Sequence, residues 1–347
     1  MKVLMLSTDY QVFEPASEVR ARMRDYAGLV NELWVVVLGR FFKPQIIGNL
    51  RLLGFTRRRA LFWRPREKLE VVSSQDPFET GFIAWRLARR LGARFQLQIH
   101  TDFLSPYFWR ESLKNKVRVL LAGFLLPKAD GIRVCSQSIV DSLKNYKLKT
   151  TPVVLPVFVD IEKWRQAPVK TNLHKKYPQF DQIILMVARL TKEKNIALAI
   201  EAMREVIGSH PRTGLIIVGS GPEEQSLKLK TKTYKLEPNI VFEPWTDDLP
   251  SYYKTADLFL LTSFYEGASR ALLEAVAAGC LVVSTDVGAA RDFLPVENIV
   301  PVNDPSALAE KIILALEGKL VSPQELAPQS QKSYLQAYKV AWEQCLN

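Results

Sequence analysis

Cysteine is scarce in this chain: Cys135, Cys280 and Cys345 are the only three in 347 residues. They are odd in number, far apart and without CxxC spacing, which argues against a disulfide framework and for buried free thiols in a reducing cytoplasm. Long hydrophobic runs are missing as well. No apolar stretch reaches the length of a membrane span. The opening MKVLMLS is too short for a signal-peptide core, so no secretory signal is expected. There is no low-complexity tract, and 48% hydrophobic with 24% charged residues is the balance of a globular protein rather than a disordered one. Glycine is absent from the first 27 residues, which matters below.

What is present is length and a lopsided charge. At 347 residues the chain exceeds one typical core, and two domains are expected. The net charge of +11 is uneven: residues 1–150 hold 26 Lys/Arg against 13 Asp/Glu, and residues 151–347 hold 21 against 23. A basic half beside a near-neutral half suggests that one lobe meets a polyanionic surface. Two segments join this charge to bulky apolar residues, LRLLGFTRRRALFWRPREK (Leu50–Lys68) and SPYFWRESLKNKVRVLLAGFLLPK (Ser105–Lys128). In the second, helical spacing gives an apolar face with Arg110, Lys114, Lys116 and Arg118 among polar neighbours. Such stretches can rest on an anionic bilayer. They also fit a charged loop and an ordinary domain helix.

Short β-rich runs recur along the first half at Val3–Ser7, Leu33–Leu38, Leu69–Ser74, Phe95–Ile99, Gly131–Cys135 and Pro152–Leu155. Helical patterns such as Ser17–Val30 and Gly81–Leu91 separate several of them. The second half repeats the rhythm with strands at Ile183–Ala188, Gly214–Gly219, Ile240–Phe242, Ala256–Ser263, Leu281–Ser284 and Ile299–Pro301. Its helices are expected at Asn195–Ser209, Pro222–Lys235, Arg270–Ala278 and Pro305–Glu317. Strands alternating with helices predict parallel sheets built from βαβ units, hence two Rossmann-like lobes with a cleft between them. The polar, proline-bearing stretch Pro156–Phe180 reads as a linker. In such sheets ligands sit beyond the carboxyl ends of strands.

Three strand ends of the second lobe carry chemistry. Ile183–Ala188 runs into Arg189 and Lys194, a cationic pair suited to a diphosphate. The next strand ends in Gly219 and Gly221, which permit close backbone approach. The run SFYEGASRALLEAVAAGC then places Glu266 at a turn and Glu274 about two turns down the following helix. A helix N-terminus suits phosphate or polarised hydroxyls, and two carboxylates there could hold two parts of one hydroxyl-rich ligand. Spacing alone favours a surface Glu and a capping Glu.

VARLTKEKNIALAIEAM, IIVGSGPEEQSL and TADLFLLTSFYEGASRALLEAVAAGCLVVSTDVGAARDFL together resemble the retaining GT-B glycosyltransferases that bear the E-x7-E motif, over roughly residues 183–294. The resemblance implies an N-terminal acceptor domain at 1–158, a nucleotide-sugar domain at 159–329, and a last helix within 330–347 that crosses back to the first. QKSYLQAYKVAWEQCL (Gln331–Leu346) has the length and apolar spacing for it. By the same resemblance Arg189 and Lys194 neutralise the donor diphosphate. Glu266 binds sugar hydroxyls, helped by the turn Gly267, Ala268, Ser269 and Arg270. Glu274 holds the ribose, and Gly219 and Gly221 line the nucleoside pocket. In the first lobe QLQIHTDFLSPYF resembles the segment of the family's active-site histidine, here His100, with Asp102 beside it. SQDPFETGFIAWRLARRLG resembles the acceptor-side segment before it and contributes Asp76.

Two departures stand out. The family's Gly-Gly pair in the first βα loop is replaced by STDYQVFEPASEVRARMRDY, where Ser17 could cap the helix and Arg20 could supply a cation or, like Arg22, face solvent. In VFEPWTDDLPSYY, Glu243-Pro244 stands where the family has glycine, which would reshape the base pocket. The resemblance implies no bound metal, with Asp247-Asp248 no metal site, and no cofactor beyond a UDP- or GDP-sugar donor. It predicts transfer of that sugar, with retention, to an acceptor hydroxyl. The basic amphipathic lobe makes a glycan or lipid-linked acceptor the first expectation, met by a cytoplasmic protein in peripheral contact with an anionic membrane. The lack of an RNA or DNA module argues against a nucleic-acid partner. A nucleotide-sugar epimerase, a non-catalytic scaffold and a basic polyanion-binding protein remain alternatives. Neither the donor sugar nor the oligomeric state is legible.

Overall fold

The computed structural model describes residues 1–327 and 329–346. The chain divides into two compact units, Met1–Pro156 with Ser330–Asn347, and Val157–Gln329.

The first unit is built on β1 (Lys2–Ser7), β2 (Glu32–Leu38), β3 (Phe42–Ile47), β4 (Leu50–Phe55), β5 (Val71–Ser74), β6 (Arg94–Ile99), β7 (Gly131–Val134) and β8 (Val153–Val154). They lie in the order β3-β4-β2-β1-β5-β6-β7-β8. The central β1 and β2 are almost continuously apolar and buried, as strands covered on both faces must be. β1 pairs in parallel with both β2 and β5, Leu6 standing opposite Val36 and Ser74. The chain winds one way from β1 to β2 and the other way from β5 onward, so the crossing direction reverses beside β1.

Helices α1 (Glu18–Ala27), α2 (Arg57–Phe62), α3 (Glu79–Leu91), α4 (Pro106–Glu111), α5 (Leu113–Leu125) and α6 (Gln137–Ser142) fill the crossovers. Two readings are corrected here. Leu50–Lys68 is neither one amphipathic stretch nor one charged loop: Leu50, Leu52 and Phe55 are buried in β4, and β3 runs antiparallel to it around Gly48, whose φ is +60°. Only after Phe55 does the arginine run begin, as α2, capped by Thr56 accepting from the Arg59 N–H. Ser105–Lys128 is two helices rather than one. Ser112 is extended and caps α5 by accepting from Asn115 N–H, so α4 stops where a side chain offers the backbone another partner.

The second unit contains β9 (Gln182–Val187), β10 (Thr213–Val218), β11 (Ile240–Glu243), β12 (Leu258–Leu261), β13 (Val282–Thr285) and β14 (Ile299–Val300), all parallel in the order β11-β10-β9-β12-β13-β14. The helices are α7 (Ile161–Gln166), α8 (Leu173–Lys176), α9 (Ile196–Ser209), α10 (Glu224–Thr233), α11 (Leu249–Thr255), α12 (Arg270–Ala277), α13 (Ala290–Phe293) and α14 (Pro305–Leu316). Alternation along β9 sends Ile183, Leu185 and Val187 into one core with Leu272, and Ile184 and Met186 into another with α9 and α14. The stretch expected as a linker is part of this unit. Ile161, Leu173 and Phe180 are buried in its core, and α7 packs on α12.

The last helix, α15 (Gln331–Glu343), belongs to the first unit. Its Tyr338 stacks on Tyr26 of α1 at 4.1 Å, and Trp342 meets both rings edge-on. Such ring pairs add about 0.5–1.5 kcal/mol each beyond the area they bury.

Candidate functional site

In the second unit the strand order reverses between β9 and β12, the point where an open parallel sheet leaves a crevice at its carboxyl edge. The loop leaving β9 carries Arg189 and Lys194. It turns at Asn195, whose φ is +45°, a left-handed conformation that asparagine tolerates better than most residues. The loop leaving β12 carries Thr262 to Ser269. Backbone and hydroxyl bonds tie the two together: Phe264 N–H donates to Glu193 O at 2.9 Å, and Thr262 Oγ1 donates to Lys194 O at 2.9 Å. Lys194 Nζ then meets Glu266 Oε1 at 2.5 Å, and Ser263 Oγ donates to the same oxygen at 2.8 Å. Both ionised side chains are largely shielded, 18% and 12% exposed.

A third loop tightens this turn. Thr285 Oγ1 at the end of β13 donates to Ser263 O at 2.8 Å. Gly288 lies so close that a Cβ on it would sit 2.5 Å from Gly267 O and 2.9 Å from the Glu266 Cβ, at a φ of +53° that already favours glycine. Sequence reasoning quoted STDVGAARD but gave Thr285 and Gly288 no role. The available signal was the glycine three residues beyond a strand.

Glu274 sits one turn into α12, not two, because the helix begins at Arg270 behind the Ser269 cap. Its carboxylate is 8% exposed and accepts from Arg270 Nε at 2.7 Å. Tyr253 OH lies 3.5 Å from the other oxygen. Burial, reinforced by that carboxylate, pushes the Tyr253 phenol well above its usual range, so it stays a hydroxyl donor. Arg189 is mostly exposed and pairs with Glu193 at 3.1 Å, whereas Lys194 pairs with Glu266. The two cations follow the same strand but answer to different carboxylates.

Gly219 and Gly221 are needed for a contact of the chain with itself. A Cβ on Gly219 (φ +140°) would fall 2.0 Å from Ala188 O, and one on Gly221 would fall 2.3 Å from Leu190 O. Leu190 N–H donates to Ser220 O, and Glu223 N–H donates to Leu190 O. The glycines therefore seat the β9 loop against the β10 loop.

In the first unit Ser17 caps α1, accepting from Arg20 N–H at 3.1 Å and donating to Gln11 O at 2.6 Å. Of the two readings of Arg20, a cation for the site or a solvent-facing side chain, the structure removes the second. Arg20 is buried, and its guanidinium donates to the carbonyls of Val12 and Phe13 and to Gln45 Oε1. It anchors the glycine-free loop to β3, an element unseen in the sequence; Arg22 is exposed as expected. Asp76 accepts from Phe78 N–H at 2.8 Å after β5, and Asp102 accepts from Leu104 N–H at 3.2 Å after β6. Burial raises the Asp102 carboxyl despite those bonds. His100 follows β6, its Nε2 3.3 Å from Gln98 Oε1. Burial first, then the charges of Arg133 and Arg22, pull its pKa down to about 3, so the imidazole is neutral at ordinary pH.

Glu243, the second departure, is occupied within its own unit. Lys176 Nζ and Tyr252 OH donate to it at 2.7 and 2.6 Å, and Tyr177 OH also donates. Burial opposes its charge, but these donors hold the carboxyl below the usual range. Among the described residues no helix is long and apolar enough to cross a membrane. The three cysteines are buried free thiols.

Comparison with known proteins gives the same picture twice over. A family model described as Glycosyl transferases group 1 matches residues 169–333, and one described as Glycosyltransferase Family 4 matches residues 9–163. The chain is 26% identical over 243 residues to the alpha-monoglucosyldiacylglycerol synthase of Streptococcus pneumoniae, covering 67% of this chain but 54% of that relative. It is 25% identical to the UDP-Gal:alpha-D-GlcNAc-diphosphoundecaprenol alpha-1,3-galactosyltransferase of Escherichia coli, covering 81% of this chain and 76% of the relative. The chain thus spans only about half the length of the first. Among solved structures, HepE of Anabaena in complex with UDP superposes with a TM-score of 0.70 at 17% identity, covering 99% of this chain and 95% of that one; at that identity the likeness is one of fold.

Proposed function

The chain belongs to the group 1 glycosyl transferases, and from that premise we propose that it moves a sugar from a uridine or guanosine diphosphate sugar to a hydroxyl of a glycan or lipid-linked acceptor, with retention at the anomeric carbon, at the cytoplasmic face of a membrane. The observation that carries the reading is the Lys194–Glu266 pair at the β9/β12 reversal, held in place by three strand-end loops. One loop offers a cation to a diphosphate, and the next offers a carboxylate to sugar hydroxyls. The N-terminal end of α12 lies directly after the carboxylate. One relative is named as a synthase of monoglucosyldiacylglycerol, another for UDP-galactose and a GlcNAc-diphosphoundecaprenol, and HepE was solved with UDP.

In this reading Lys194 turns from Glu266 to the donor phosphate, with Arg189 at the same strand end, and the freed Glu266 takes sugar hydroxyls. The bond from the anomeric carbon to the phosphate oxygen breaks through an oxocarbenium-like transition state. The acceptor oxygen bonds to the anomeric carbon on the same face, and its proton passes to the departing phosphate. No protein nucleophile is needed, and no metal, since cations and backbone N–H groups meet the developing charge. Donors preorganised for such charge commonly supply the largest catalytic effect.

The test is a thermal-shift panel of nucleoside diphosphates and their sugars, followed by assay of the stabilising donor with lipid-linked acceptors. A donor at about a hundred times its Kd adds about 2.7 kcal/mol. An α-linked product from an α-linked donor, read from its anomeric proton coupling, is expected. The proposal fails if no nucleoside diphosphate sugar shifts the transition. Isomerised donor without an acceptor would indicate an epimerase instead.

A further inference from the structure

Helices α2, α3 and α5 of the first unit pack one on the next. Together they contain nine Arg/Lys and a single acidic residue, Glu79, and that carboxylate is paired with Arg118 at 3.1 Å. On α5 the side chains Leu113, Val117, Leu120 and Phe124 are 79%, 64%, 67% and 45% exposed. Their spacing of four, three and four residues puts them on one face, roughly 180° from the buried Asn115 and Ala122. This helix therefore turns an apolar stripe outward, the opposite of what a domain helix does. Lys114 and Lys116 lie on either side of the stripe. Its end is ringed by aromatic and cationic groups: Trp85 of α3 meets Phe124 edge-on at 5.3 Å, Lys128 Nζ lies 3.8 Å over the Phe124 ring, and Arg89 lies over Trp85.

We propose that this face of α5 is a membrane-docking surface. Leu113, Val117, Leu120 and Phe124 enter the headgroup–acyl boundary of an anionic bilayer, while the cations of α2, α3 and α5 meet lipid phosphates. An apolar stripe flanked by lysines, with aromatics at its end, is the chemistry of an interfacial helix. A second copy of the chain is a poor occupant: pairing two such faces would set the flanking Lys114 and Lys116 of one copy, with Lys128 at the end of the stripe, against the same cations of the other. Residues 151–347, with 21 Lys/Arg against 23 Asp/Glu, supply no strongly acidic counter-surface either. Of the two basic amphipathic segments seen in the sequence, the structure selects Ser105–Lys128 and removes Leu50–Phe55, whose apolar residues are spent inside the sheet. The inference rests on the proposed reaction only in saying where a lipid-linked acceptor would be met.

Vesicle flotation of the full chain tests it, using phosphatidylcholine alone and phosphatidylcholine with about a third phosphatidylglycerol. The chain is expected to float with the anionic vesicles and stay down with the neutral ones. The exposed double substitution Leu120→Gln with Phe124→Gln should lower partitioning at least tenfold while far-UV circular dichroism is unchanged. Lys114→Gln with Lys116→Gln should lower it about fivefold per charge at low salt. The idea is overturned if the wild-type chain ignores anionic vesicles, or if the Leu120/Phe124 variant floats as well as wild type. It is equally overturned if size exclusion shows a dimer that this variant dissociates. None of these readouts involves sugar transfer, so the reaction and the surface can fail separately.

Discussion

Lys194 and Glu266 neutralise each other where the proposed reaction needs both of them separately charged. Replacing Lys194 by Ala should therefore lower the transfer rate by about 10²–10³-fold, the usual effect of losing one preorganised charge-stabilising donor, and should abolish the donor-induced thermal shift. Unaltered turnover in a steady-state assay would remove Lys194 from the site. His100 makes a different prediction because it is held neutral. Its folded pKa of about 3 lies below the ordinary 6.5, so between those values the unfolded chain takes up a proton that the folded chain refuses. Stability must then fall as pH drops from 6.5 toward 3, and His100→Gln should flatten that slope in urea melts run across the range. The rate–pH profile should show no break near 6.5 from this residue. A slope left unchanged by the substitution would place the acid sensitivity elsewhere.

At the scale of elements, the site depends on loops that touch through backbone rather than side chains. Gly219 shows how tight that fit is. Its alanine variant needs both a strained φ and a Cβ 2.0 Å from a carbonyl oxygen, so a loss of about 3 kcal/mol or more is expected by chemical denaturation. A variant within 0.5 kcal/mol of wild type would mean the β9 and β10 loops can part freely. The periodicities of β1, β9, β10 and α9 were plain in the sequence because each follows one hydrophobic period over several residues. β3 and β4 were not: Lys43 and Pro44 interrupt the apolar residues of β3, and the leucines of β4 adjoin an arginine run that concealed an ordinary strand. The same holds for α7 and α8, short helices with prolines and lysines around them that only burial identifies as core.

At the scale of the molecule, α15 completes the first unit from the far end of the chain. Gln96 donates to Ala341 O, Gln98 Nε2 donates to Tyr338 OH, and the buried Arg133 donates to Gln98 Oε1, Leu155 O and Tyr334 OH. A chain ending at Gln329 would leave that guanidinium short of partners. Breaking a buried charge's set of partners costs about 3–5 kcal/mol. The truncated protein should therefore lose the cooperative calorimetric transition of the first unit. Its survival would show that the strands hold without the helix.

The amino-acid sequence alone determined the alternation of strands and helices. It also set the position of Arg189, Lys194, Gly219, Glu266 and His100 at strand ends, because hydrophobic period and glycine placement act over a few residues. What each of those side chains touches was left to the tertiary structure. Lys194 meets a carboxylate 72 positions away, Arg20 is buried against an unforeseen strand, and the stripe on α5 faces outward rather than inward. Local patterns record which residues can be apolar or charged; only packing decides which surfaces are used up inside and which remain.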